Sequence, residues 1–205
     1  MKIINLLRSN WLFMVPYLGL LLGLGVEQIL YRQGIITLEV NRYSSTEADL
    51  FFTYFTHLGD GVFCIFLGLL LLFWSKAKGI LLLVSYTISG VLAQLIKNFG
   101  FPKEPRPAEY FAGMMDSLHT VSGVTLSHWN SFPSGHTTSA FAVFGLLAIW
   151  TASPLLKFSC LVVAVLVGFS RMYLLQHFLI DVYAGSLLGV LTAYSVVLFQ
   201  KEKKR

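Results

Sequence analysis

Three polar clusters interrupt an otherwise apolar chain: KNFGFPKEPRP at 97–107, PSGH at 133–136 and SRMYLLQHFLID at 170–181. Lys97, Lys103, Arg106 and Arg171 supply cations, His136 and His177 supply imidazoles, and Asp181 supplies a carboxylate. Arg offers a fork of donors and Lys a compact charge, a combination that suits a dianionic phosphate. Ser134 and Gly135 stand just ahead of an apolar run, where the free N–H groups and dipole of a helix start favour an anion. Gly135 also lets a ligand come close to the backbone. His177 and Asp181 are four residues apart, so on a helix they share a face, and the carboxylate fixes the ring's orientation and tautomer. An imidazole held this way is a nucleophile or a base. His136 is free to be a second proton-handling group.

Taken singly, these residues have ordinary readings. Ser134 is a natural N-cap, Asp181 complements a helix dipole, and Arg171 is able to snorkel to an interface. Their order along the chain and their shared placement at the ends of apolar runs argue for one site instead.

The elements that must position them are membrane helices. The 205 residues are 56% apolar and 12% charged, with mean hydropathy +0.70. A soluble domain carries about 25% charged residues, so this chain lacks the charge to cover a water-facing surface. Six segments approach the roughly 17–25 apolar residues that a span requires: 11–31, 54–74, 79–97, 137–153, 156–173 and 178–199. The expectation is an all-α polytopic bundle, one domain over 1–205. Gly90, Gly185 and Gly189 are small residues that permit close helix contact within it. The run after Lys2 and Arg8 is too long for a cleavable signal core and reads as a retained first span. Cys64 and Cys160 have no metal-like spacing and read as small core residues. His57, His119 and His128 read as structural, and no basic face supports a nucleic-acid partner.

Six spans place both termini on one side. That side collects nine basic residues, Lys2, Arg8, Lys76, Lys78, Lys157, Lys201, Lys203, Lys204 and Arg205, against Glu202 alone.

 The opposite side holds six basic residues against nine acidic ones. Lys and Arg accumulate in cytoplasmic loops, so the termini are expected in the cytoplasm and all three clusters outside. The two long connections, 32–53 and 98–136, then also lie outside. Segment 44–56 reads as an interfacial helix started by Ser45, and 118–129 reads as a small hairpin about Ser122-Gly123.

Arg106-Pro107, PSGH at 133–136 and Ser-Arg-x5-His-x3-Asp at 170–181 resemble the three signature motifs of the type 2 phosphatidate phosphatase (lipid phosphate phosphatase) superfamily, and six spans resemble its bacterial membrane branch. That family places a lysine seven residues before the Arg of Arg-Pro, where this chain has Phe99. Lys97 lies nine before Arg106 and is the assigned residue, with Lys103, three before, as the alternative.

The resemblance implies an integral membrane phosphatase whose outward loop, 98–136, carries part of the site. It implies that His177 attacks phosphorus, Asp181 holds its ring, and His136 protonates the departing oxygen. Lys97, Arg106, Ser134, Gly135 and Arg171 would bind the phosphoryl oxygens. It further implies no metal, no cofactor, a lipid phosphate or pyrophosphate substrate, and a bacterial cytoplasmic membrane with the site on the periplasmic face. Phosphatidate, phosphatidylglycerophosphate, undecaprenyl diphosphate and lipid A phosphates are the candidate lipids. A phosphotransferase and a non-catalytic membrane protein on the same scaffold are the competing readings.

Overall fold

The computed structural model describes residues 2–200, so the basic tail counted in the sidedness argument lies outside the described residues. Among the described residues the chain is all-helical, with no β-strand. In order the helices are α1 (Lys2–Ser9), α2 (Trp11–Leu30), α3 (Ile35–Arg42), α4 (Thr46–Phe55), α5 (Gly61–Trp74), α6 (Lys76–Leu95), α7 (Pro107–Tyr110), α8 (Gly135–Trp150), α9 (Pro154–Tyr173) and α10 (Leu179–Phe199).

Local chemistry sets most of the helix starts. Ser45, Asp60, Ser75, Ser134 and Ser153 each accept a backbone N–H from the first turn of the helix that follows, which satisfies one of its orphan donors. Pro154 occupies the first position of α9, where its missing N–H costs nothing.

Four segments are long and apolar enough to cross a membrane: Trp11–Leu30, Lys76–Gly100, Pro154–Tyr173 and Leu179–Phe199. The expected second span is divided. Asp60 caps α5 and ends the preceding 3-10 turn, Thr56–Gly59, so Thr46–Gly59 and Gly61–Trp74 meet at a bend of 53°. The expected fourth span is α8, an apolar helix of 16 residues. The chain is thus a polytopic membrane bundle in which two of the six anticipated segments depart from a simple long helix.

α8 forms the centre. It is apolar on all sides and buried along most of its length, as expected for a helix enclosed by others. α10 crosses it closely at two glycines. A methyl group on Gly185 would stand 2.7 Å from the Ser134 carbonyl oxygen, and one on Gly189 would overlap the Thr138 carbonyl oxygen. Small residues therefore set this crossing, as expected in lipid. Gly90 does not act this way, because a side chain there would meet nothing within 4 Å. Cys64 is buried in the main core and Cys160 packs at its edge.

The hairpin expected at 118–129 is absent. Ser122-Gly123 does turn, with the Val124 N–H donating to the Val121 carbonyl, but no ladder flanks it. Side chains bind this backbone instead. Asn41 pairs with both the N–H and the C=O of His119, Gln176 donates to the Thr125 carbonyl, and Arg106 donates to the Trp129 carbonyl. A segment whose polar groups find such partners needs no opposing strand.

Candidate active site

The alternation of the helices brings the C-terminal ends of α6 and α9 together with the N-terminal ends of α8 and α10. Lys97 lies in a π-helical turn, Ile96–Gly100, that prolongs α6. Its side chain is buried, and Nζ donates to the carbonyl oxygens of Asn130 at 2.7 Å and Ser131 at 3.0 Å. Lys103, the alternative, is exposed and has a left-handed backbone, φ 61°.

Arg106 approaches from the loop between α6 and α8. Its Nε donates to the Trp129 carbonyl at 2.9 Å, and Nη1 donates to the Gln176 side-chain oxygen at 3.1 Å. Arg171 is buried at the end of α9, where Nη1 donates to Thr56 Oγ1 at 2.8 Å. Its Nε is buried with no hydrogen-bond partner among the described residues. A buried donor without a protein partner is one that an acceptor from outside the chain would satisfy.

His177 and Asp181 meet, but not by sharing a helical face. α10 begins only at Leu179, so His177 lies in the connection before it. Asp181 folds back over the helix start, where Oδ2 accepts the Phe178 N–H at 2.9 Å and lies 3.3 Å from His177 Nδ1. The same oxygen accepts the Ser131 hydroxyl at 2.5 Å. The carboxylate is therefore fixed by two donors while it orients the imidazole.

Burial is the main influence that holds His177 well below the usual histidine range, followed by the positive charges of Arg106, Arg171 and Lys97 and by His136. These influences favour the neutral ring, the form in which a nitrogen lone pair is available. Burial also pushes the Arg106 guanidinium down from its ordinary value.

At α8, Ser134 acts as the N-cap: Oγ accepts the Thr137 N–H at 3.4 Å and the Thr137 hydroxyl at 2.8 Å. Its own N–H donates to the Asp181 carbonyl at 3.0 Å, so that donor is already engaged. The Gly135 and His136 N–H groups belong to the first helical turn, which has no helical acceptors. A side chain on Gly135 would meet nothing within 4 Å, so there is open space over this backbone. His136 is partly buried beside it.

All eight sequence-derived site residues thus lie at one end of the bundle. Sequence reasoning missed Thr56, Asn130, Ser131 and Gln176, which hold Arg171, Lys97, Asp181 and Arg106. Neutral residues distant in sequence from their partners give no spacing signal. The three remaining histidines have carboxylate partners of their own: His57 faces Asp60 at 3.6 Å, His119 faces Asp49 at 2.9 Å, and His128 faces Glu109 at 3.0 Å. Among the described residues, no group of three or more His, Cys, Asp or Glu is placed to hold a metal ion.

Known proteins resemble this chain over much of its length. The profile of the PAP2 superfamily matches residues 78–205. Phosphatidylglycerophosphatase B of Bacillus subtilis is 32% identical over 164 residues, which cover 73% of this chain and 74% of that protein. A Schizosaccharomyces pombe protein, "Probable diacylglycerol pyrophosphate phosphatase 1", is 32% identical over 151 residues, 62% of this chain. The match spans only about half of that protein, 53% of its length. The crystal structure of a transmembrane PAP2 type phosphatidylglycerolphosphate phosphatase from Bacillus subtilis superimposes with a TM-score of 0.68 at 27% identity, covering 83% of this chain and 85% of that one.

Proposed function

The chain belongs to the PAP2 superfamily, and from that premise we propose that it is an integral membrane phosphatase hydrolysing a lipid phosphate or lipid pyrophosphate. The observation that carries the proposal is the buried, carboxylate-oriented His177 at the same end of the bundle as Lys97, Arg106 and Arg171.

His177 Nε2 attacks phosphorus while Nδ1 faces Asp181, so the imidazolium formed on attack is stabilised by the carboxylate. Arg171, Arg106, Lys97 and the first-turn N–H groups at Gly135 and His136 stabilise the charge on the phosphoryl oxygens. His136 gives its proton to the departing oxygen. In the second half-reaction it takes a proton from water, whose oxygen attacks phosphorus and releases His177. Side-chain cations fill the electrostatic role throughout, which makes the reaction metal-independent.

The distribution of basic residues supports cytoplasmic termini and a site on the outer face of a bacterial cytoplasmic membrane. The names of the relatives support lipid phosphates as the substrate class.

Rapid quench of the purified protein with labelled lipid phosphate tests this reading. We expect free phosphate as product and an acid-labile, base-stable label on the peptide containing His177. His177→Ala should abolish both, while His136→Ala should slow turnover about 10²–10⁴-fold, the usual worth of proton transfer. Label on His136 would exchange the two roles. Transfer to a second lipid in place of water would make the protein a phosphotransferase.

A further inference from the structure

Gln176 is polar, 5% exposed, and directly precedes His177. Both ends of its amide are occupied. Oε1 accepts from Arg106 Nη1 at 3.1 Å, and Nε2 donates to the Thr125 carbonyl at 3.1 Å. Its main chain is held equally firmly: the Gln176 N–H donates to the Arg171 carbonyl at 2.9 Å, and the Gln176 carbonyl accepts from Arg106 Nη1 at 3.3 Å. One residue therefore joins the outward loop, both arginines and the connection that carries His177.

We propose that Gln176 is a positioning residue that sets the direction of the Arg106 guanidinium and couples the loop at 125–129 to the phosphate site. The proposal rests on the phosphatase reading above. With Nε bound to the Trp129 carbonyl and Nη1 bound to Gln176, Arg106 keeps Nη2 without a partner among the described residues. A guanidinium held at two nitrogens presents the third in one direction, so little rotational freedom is lost when phosphate binds. Arg171 differs, since its Nε has no partner among the described residues and its Nη1 is held by Thr56.

The test is a double-mutant cycle on purified protein with a short-chain lipid phosphate, read as kcat and KM separately. Gln176→Met keeps the length of the side chain and removes both amide bonds. It should raise KM about tenfold with a smaller change in kcat, within the usual worth of a hydrogen bond to a charged group. Gln176→Glu keeps an acceptor for Arg106 and should recover most of the KM. In an Arg106→Ala background, Gln176→Met should change kcat/KM by less than about twofold, because the group it positions is gone. Equal effects of Gln176→Met in the two backgrounds, or an unchanged KM in the single variant, would overturn the proposal. Should Gln176→Met fail to fold, Gln176→Glu is read through the same cycle, and a KM as high in that variant as in Arg106→Ala overturns it. An Arg106→Ala protein with unimpaired activity would instead reject the phosphate site itself.

Discussion

The two ends of the bundle treat buried cations differently. At the end opposite the proposed site, Lys157 is 7% exposed, and its Nζ donates to the Ala148 carbonyl at 2.8 Å and to Asn10 Oδ1 at 3.4 Å. Asn10 in turn donates to Tyr194 Oη. This cation ties the end of α8 to the junction of α1 and α2, and complements the negative end of the α8 dipole. At the other end, Lys97, Arg106 and Arg171 gather where Asp181 is the buried carboxylate, and Arg171 Nε has no partner among the described residues. One end is closed by its own contacts, and the other, on the function proposed above, receives an incoming anion. On that proposal, the difference in partners distinguishes a structural cation from a ligand-binding one where burial alone does not.

The largest effect that would break this comparison is expected at Arg171. Arg171→Ala should lower kcat/KM by about 10²–10³-fold, the usual worth of one preorganised donor to a developing anion. Monodispersity in detergent and an intact helical spectrum would separate this from misfolding. A loss below tenfold would make Arg171 an ordinary buried cation.

Exchanging the lysines sharpens the contrast. Lys97→Met should reduce activity far more than Lys103→Met, since Lys97 is buried at the cluster and Lys103 is exposed. Lys157→Met should leave kcat and KM unchanged but lower the thermal midpoint, because the Ala148 carbonyl and Asn10 lose a donor at a cost of about 1–3 kcal/mol. Equal loss of activity at 97 and 157 would erase the distinction between the two ends.

The smallest expected effect is on pH dependence. Burial and the neighbouring cations hold His177 below the usual histidine range, so it stays neutral as pH falls through about 6.5 and protonates only at lower pH. The acid limb of kcat/KM should therefore lie below that of a free imidazole. Arg106→Gln removes a repelling charge and should move the limb to higher pH. An unmoved limb, measured with a substrate of constant ionisation across the range, would show that Arg106 does not act on His177.

Much of this arrangement was legible in the sequence because it depends on local rules. Apolar runs specify membrane helices by length, Ser134 and Asp60 mark helix starts by type, and the order of the three polar clusters follows from spans that alternate in direction. Alternation alone brings Lys97, His136, Arg171 and His177 to one end. Only the tertiary structure decided what holds them there. Thr56, Asn130, Ser131 and Gln176 reach their partners across 115, 33, 50 and 70 positions of sequence. The tertiary structure also replaced the shared helical face of His177 and Asp181 with a carboxylate folded over a helix start, and the hairpin with a loop bound by side chains. The physical reason is the same in each case: a hydrogen bond between distant residues depends on how helices pack, and no periodicity in the chain encodes it.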